Sequence, residues 1–275
     1  MRHESTTPDI PCTAPPVGNG SAAPLVHVRD LTMAFGPKLV QRDLNFDILP
    51  GEVLAIAGGS GCGKSTLLRH LIGLQAPAAG QVLYGSQDLY AADAAAKKAV
   101  LQSFGVMFQA GALWSSMTVG ENVMLPLQVL TDMDAAEREH AARFKLALVG
   151  LAGSFDAEPA DLSGGMKKRA AIARALALDP ALLFLDEPSA GLDPLTSAHL
   201  DELIMHLRDD LGTTVVMVSH ELESIFTVAD RLLFLDAQSK TMTALGPPKE
   251  LRRSGPEGVQ TFLRRGAAAQ PEGKA

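Results

Sequence analysis

Apolar positions along the chain change their period several times, and each change marks an element. Residues 52–57 form an almost continuous apolar run that ends in glycines, which predicts a buried strand. Residues 64–74 follow with Leu67, Leu68, Leu71 and Ile72 at helical spacing. Residues 181–185, the valine-rich 214–219, and 232–235 are further apolar runs of strand length. Uninterrupted runs of this kind suit strands buried on both faces of a parallel sheet. Between 185 and 214 the pattern returns to a helix. Asp193 can cap it, Pro194 suits its first turn, Leu200, Leu203, Ile204, Leu207 and Leu211 form its apolar stripe, and Gly212 ends it. Strands alternating with helices predict an α/β fold with right-handed crossovers.

Two stretches depart from that alternation. Pieces at 25–28 and 44–48 are β-rich and predict a small antiparallel sheet near the start. The middle, about 105–178, reads as a helical insertion, with Asp134 and Glu137 in capping-box spacing at the head of 134–148. At the front, residues 1–24 hold five prolines and only Ile10 and Val17 among Leu, Ile, Val and Phe, so a disordered tail is expected there. Residues 266–275 are expected to behave alike, and 251–265 reads as a basic segment, either a solvated helix or an arm toward a neighbouring subunit.

Composition narrows the function. With 24 Lys and Arg against 31 Asp and Glu the net charge is −7, which argues against holding nucleic acid by bulk positive charge. No apolar run reaches the roughly 18 residues that span a bilayer, and the first residues lack a basic and an apolar region of signal-peptide type, so a soluble cytoplasmic chain is expected. Two cysteines, Cys12 and Cys62, exclude a disulfide scaffold.

The candidate chemistry sits at strand ends. Gly58-Gly59-Ser60-Gly61-Cys62-Gly63-Lys64-Ser65 fits G-x-x-x-x-G-K-[ST], after a predicted strand and at the start of a predicted helix, with Thr66 next. Glycines let backbone N–H groups curl around phosphate oxygens, and the helix N-terminus adds partial positive charge. Lys64 would reach the β- and γ-phosphates and Ser65 would offer its hydroxyl to Mg²⁺. Asp186 and Glu187 close the strand at 181–185; Asp186 is placed for the magnesium shell and Glu187 to polarise an attacking water. Cys62 lies among backbone donors beside Lys64, which predicts a favoured thiolate whose alkylation blocks nucleotide binding.

With these residues stands Leu162-Ser163-Gly164-Gly165-Met166, ahead of a helix with Lys167, Lys168, Arg169 and Arg174. The set resembles the ATP-binding cassette (ABC) ATPases over nearly all of residues 25–250. The resemblance implies a P-loop NTPase (RecA-like) parallel-sheet core with an antiparallel β subdomain and a helical insertion. It also implies that Ser163, Gly164 and Gly165 clamp the γ-phosphate of ATP bound by a second copy of the chain. The family commonly has Gln where Met166 stands. Gln109 resembles the glutamine that senses Mg²⁺, the segment 189–193 the loop that crosses the dimer interface, and His220 the switch histidine on the γ-phosphate. Phe35 resembles the aromatic that stacks on adenine, although a lone Phe is as readily a core residue. Within the family, Phe108-Gln109-Ala110-Gly111-Ala112-Leu113-Trp114, the stretch 162–170 and the stretch 186–194 look like the Mce-associated (Mla-type) lipid-transport ATPases. That branch implies a homodimer, an integral membrane permease, an Mce-type substrate-binding protein and a place on the cytoplasmic face of the inner membrane. An ABC ATPase for another cargo is the main alternative, with a soluble ABC protein behind it. Residues 111–114 suggest a groove for a permease helix, or Trp114 simply packs within the helical part. A guanine-specific Asn-Lys-x-Asp loop is absent from the sequence, against a GTPase.

Overall fold

The computed structural model describes residues 23–265; the tail expected at 266–275, and all but the last two residues of the one expected at 1–24, lie outside the described residues. Among the described residues ten strands run in chain order: β1 (Val26–Phe35), β2 (Lys38–Ile48), β3 (Val53–Gly58), β4 (Ala79–Tyr84), β5 (Gln87–Asp88), β6 (Phe104–Met107), β7 (Leu182–Asp186), β8 (Thr214–Val218), β9 (Arg231–Asp236) and β10 (Thr241–Gly246). The helices are α1 (Lys64–Leu71), α2 (Ala94–Gln102), α3 (Val119–Leu130), α4 (Ala135–Leu148), α5 (Gly164–Ala175), α6 (Pro194–Asp209), α7 (Leu222–Val228), α8 (Pro248–Ser254) and α9 (Glu257–Arg265).

The central sheet has the order β10-β9-β3-β8-β7-β6, parallel except for the edge pair β9–β10. Its apolar runs are continuous because both faces are covered. Val53, Ala55 and Ala57 join one core with α3 to α7, while Leu54 and Ile56 join the other with α1 and the antiparallel sheet. The same two-residue alternation divides Leu183 and Leu185 from Leu182 and Phe184, and Val215 and Met217 from Val216 and Val218. The second sheet, β2-β1-β4-β5, is antiparallel as expected but longer than its predicted pieces.

Caps set the helix starts. Asp134 accepts from the N–H of Ala136 and Glu137, and Glu137 reaches back to the N–H of Asp134. Asp193 accepts from the Thr196 N–H and Pro194 fills the first turn of α6, while Gly212 follows at φ 66°. Leu211 is exposed beyond the helix and does not belong to the stripe.

Two expectations are corrected. The helical insertion does not begin at 105, because Phe104–Met107 is the edge strand β6 paired with β7. Four residues are too few to show a period. The segment 251–265 is not a solvated helix. Val259 and Leu263 are buried in the core with Leu232 and Phe234, and the Phe262 ring meets Phe234 edge-on at 5.2 Å.

Candidate active site

The register of the parallel strands decides which residues meet. Ile56 pairs with Val218, Asp186 with Val218 and Leu185 with Met107, so the C-terminal ends of β3, β8, β7 and β6 finish in one row. The loops that leave this row carry Gly58 to Thr66, Glu187, His220 and Gln109, the carboxyl-end position where open α/β sheets bind ligands. Together with Phe35 at the tip of the β1–β2 hairpin, they line a cleft of about 990 Å³. Phe35 is 49% exposed there, which removes the core reading.

The phosphate loop owes its shape to glycine. Gly63 caps α1 at φ 103°, and a Cβ on it would stand 2.7 Å from Val40 Cγ1. A side chain is thus refused both by the backbone angle and by β2. The first-turn N–H groups of α1 have no intrahelical acceptors and follow directly on the loop. Lys64 folds back over them, its Nζ donating to the carbonyls of Gly58 at 3.0 Å and Gly59 at 3.3 Å. From the other sheet, buried Gln41 donates to Cys62 O at 2.7 Å and Asp236 O at 3.0 Å, which fixes the loop to β2 and β9. Such a cradle fits the phosphates of a nucleotide.

The expectation for Cys62 is overturned. Its side chain is 2% exposed and turned into the core under the loop, and Sγ would lie 2.7 Å from a Cβ on Gly58. Burial pushes the thiol pKa up, against the smaller pull of Lys64.

Beside the loop, Ser65 Oγ donates to Asp186 Oδ1 at 3.4 Å. Burial and the adjacent Glu187 charge raise the Asp186 pKa, so a cation there would relieve a desolvated carboxylate. One hydroxyl and one carboxylate, both hard oxygen donors, suit Mg²⁺ held mainly through phosphates. Glu187 is buried, takes the left-handed backbone at φ 50°, and its N–H donates to Val218 O at 2.9 Å. Its Oε2 and His220 Nδ1 are 2.7 Å apart. The pair can hold a carboxylate in a fixed direction beside the phosphate cradle.

Ser163, Gly164 and Gly165 do not line this cleft. Ser163 caps α5, its Oγ accepting from the Met166 N–H at 3.3 Å, and both Ser163 and Gly164 are exposed. A Cβ on Gly165 would stand 2.3 Å from Thr196 Cγ2, so glycine lets the start of α5 approach α6. This second helix N-terminus leaves Ser163 and Gly164 exposed among the described residues, a donor set of the kind that binds phosphate.

The sequence profile of the ABC transporter family matches residues 41–190. The chain belongs to the ABC transporter family. It is 38% identical over 238 residues to the probable ribonucleotide transport ATP-binding protein mkl of Mycobacterium leprae, covering 86% of this chain and 68% of that one. It is 37% identical over 243 residues to the intermembrane phospholipid transport system ATP-binding protein MlaF of Escherichia coli K12, covering 88% and 90%. Among solved structures, the dimeric ATP-binding cassette MJ0796 in a post-hydrolysis state with ADP and Pi superposes with a TM-score of 0.72 at 29% identity, over 81% of this chain and 98% of that one. The chain is accordingly an ABC ATPase with a P-loop NTPase fold.

The structure also shows contacts around the site that the sequence did not reveal. Asn122, fully buried, accepts from the Trp114 N–H at 2.7 Å and donates to Trp114 O at 3.0 Å. Arg174 on α5 donates to Gly111 O at 2.8 Å and Ala112 O at 2.6 Å. The segment 111–114 is thus held by its backbone while the Trp114 side chain stands out, 59% exposed, and does not pack within the helical part. Buried Asp201 accepts from Ser224 Oγ at 2.7 Å, and Ser224 in turn meets Ser189 at 3.5 Å, joining α6, α7 and the loop after Glu187. None of these contacts is local in sequence, so no motif announced them.

Proposed function

We propose that this ABC ATPase is the nucleotide-hydrolysing subunit of a transporter that moves lipid, most specifically phospholipid, through a membrane permease served by an Mce-type substrate-binding protein. Two copies would pair head to tail. Phosphates lie on Gly58 to Thr66 of one copy, and Ser163, Gly164 and Gly165 of the other close over them. The observation that carries the shared site is the separation of these two donor sets, each at a helix N-terminus, one lining the cleft and the other facing outward. That the MJ0796 cassette is dimeric supports the pairing of two copies.

In the proposed reaction Lys64 and the first-turn N–H groups of α1 hold phosphate oxygens, and Phe35 stacks on adenine. Ser65 and Asp186 would hold Mg²⁺, with Gln109 nearby on the cleft wall; bound there, the ion neutralises phosphate charge. Glu187 accepts a proton from the attacking water, and His220 fixes its carboxylate through the 2.7 Å contact. Helix N-termini and Lys64 stabilise the charge that develops on the phosphate.

The exposed Trp114 and the pinned loop 111–114 form the surface that would receive a permease helix on the cytoplasmic face of the inner membrane. None of the described helices is long and apolar enough to cross a membrane, so a separate subunit would provide the path. The lipid reading rests on the near full-length likeness to MlaF and on Phe108 to Trp114, 162–170 and 186–194. The mkl relative is named for ribonucleotide transport, so cargo is what an experiment must decide. Purification of the chain from its native membranes, with mass spectrometry of proteins and extracted lipids, tests it. A permease, an Mce-type protein and enriched phospholipid are expected. A permease accompanied by a soluble-solute receptor and no lipid would overturn the cargo.

A further inference from the structure

The hydrolytic half-site and the helix offered to a second copy are joined through one buried cation. Lys168 lies one turn inside α5, and only 8% of it is exposed. Its Nζ donates to Glu187 O at 2.9 Å and to Ala190 O at 2.8 Å. Charged donors make such hydrogen bonds shorter and stronger than neutral ones. Burial lowers the Lys168 pKa, against the smaller opposing pull of the Glu221 and Glu187 carboxylates.

What Lys168 grips is an unusual piece of backbone. Glu187 is a non-glycine residue at φ 50°, a strained conformation that persists only where the surroundings enforce it. Its N–H is taken by Val218 O of β8 at 2.9 Å, and its carbonyl by Lys168 and, at 3.3 Å, by the Ala190 N–H. With both peptide groups held, the Glu187 Cα–Cβ direction is set, and its Oε2 lies 2.7 Å from His220 Nδ1. Ala190 belongs to the loop 189–193, and its carbonyl is the second group on the same ammonium.

We propose that Lys168 is a positioning residue for hydrolysis. It holds the left-handed backbone of Glu187 and the following loop against α5, so that the carboxylate of one half-site and the Ser163 end of the same helix are set by a single rigid link. This inference rests on the reading of Glu187 as the proton acceptor.

The test compares Lys168→Met, Lys168→Arg and Glu187→Gln in the full-length chain, measuring phosphate release against Mg-ATP concentration, nucleotide affinity and melting temperature. Misplacing a reacting group by about 1 Å costs on the order of 10²-fold, so Lys168→Met should lower kcat by about 10–100-fold with KM for ATP within about threefold. Lys168→Arg, which keeps the charge and can reach two carbonyls, should restore most of kcat. Should the Met variant not fold, Lys168→Gln, whose amide nitrogen ends one bond short of the ammonium position and is uncharged, carries the same expectation. Near-normal kcat in the Met or Gln variant while Glu187→Gln is slow overturns the role of Lys168 alone. So does a joint worsening of kcat and KM that Arg does not rescue. Wild-type turnover in Glu187→Gln overturns the reading of Glu187 and this inference with it.

Discussion

Replacing Leu263 by Ala tests the seating of the C-terminal helices. Leu263 is fully buried, in one core with Val259, Leu232 and Phe234. The substitution removes the transfer free energy of about three carbons and leaves a cavity, which in tightly packed cores costs about 2–5 kcal/mol. The site sits between α9 and a β-strand, both of which limit collapse, so a value near 3 kcal/mol is expected. For a chain of this size each kcal/mol lowers Tm by about 2–4 °C, so a fall of about 6–12 °C should appear in a circular-dichroism or dye-based melt. Arg264→Ala is the control, because Arg264 is exposed and among the described residues pairs with Gln260, and it should stay within about 0.5 kcal/mol. Saturating Mg-ATP should raise Tm in all three proteins by binding the folded form. If Leu263→Ala melted within about 1 °C of the parent, the packing described for α9 would be wrong and a solvated helix would stand.

Glu187→Gln should keep ATP binding but hydrolyse about 10²–10⁴-fold more slowly and accumulate an ATP-dependent dimer, read by phosphate release and size-exclusion chromatography. In a Cys12→Ala background, Cys62 should react with maleimide at least about 10-fold more slowly than in urea-unfolded chain, since its thiol is buried and its pKa raised; equal rates would contradict the burial. His70 is buried with Nδ1 on Gln75 O and, among the described residues, no partner for Nε2, and burial lowers its pKa from 6.5. The folded chain therefore binds fewer protons than the unfolded one below pH 6.5, so stability is complete above that value and is lost as pH falls. Urea midpoints should decline from pH 7.5 toward 5.5, and His70→Gln should flatten the decline; an identical slope would remove His70 from the account.

The strands β3, β7, β8 and β9 were legible because two cores cover them and leave no polar face to break the run. The phosphate loop, Asp186 and Glu187 were legible because their chemistry is written in consecutive residues. The edge strand β6 was not, since four residues carry no period. The C-terminal helices did carry a signal, Val259, Phe262 and Leu263 at helical spacing, but flanking basic residues made the segment read as solvated. Cys62 was misjudged from its neighbours along the chain, whereas its environment is set by β2 and β9 packing under the loop. Lys168 looked like one of several surface cations, and its partners lie 19 and 22 residues away across a tertiary contact. In each failure the deciding neighbour came from another element.

Helix α5 is fastened along its length: Ser163 caps its start, Lys168 grips Glu187 and Ala190, and Arg174 near its far end grips Gly111 and Ala112. Lesions in the tryptophan loop and in the acidic loop should therefore interact genetically, although they lie in separate parts of the chain. Second-site suppressors selected against a defective Gly111 or Trp114 allele should fall on one face of α5 and in 187–193, and combined lesions there should show non-additive phenotypes.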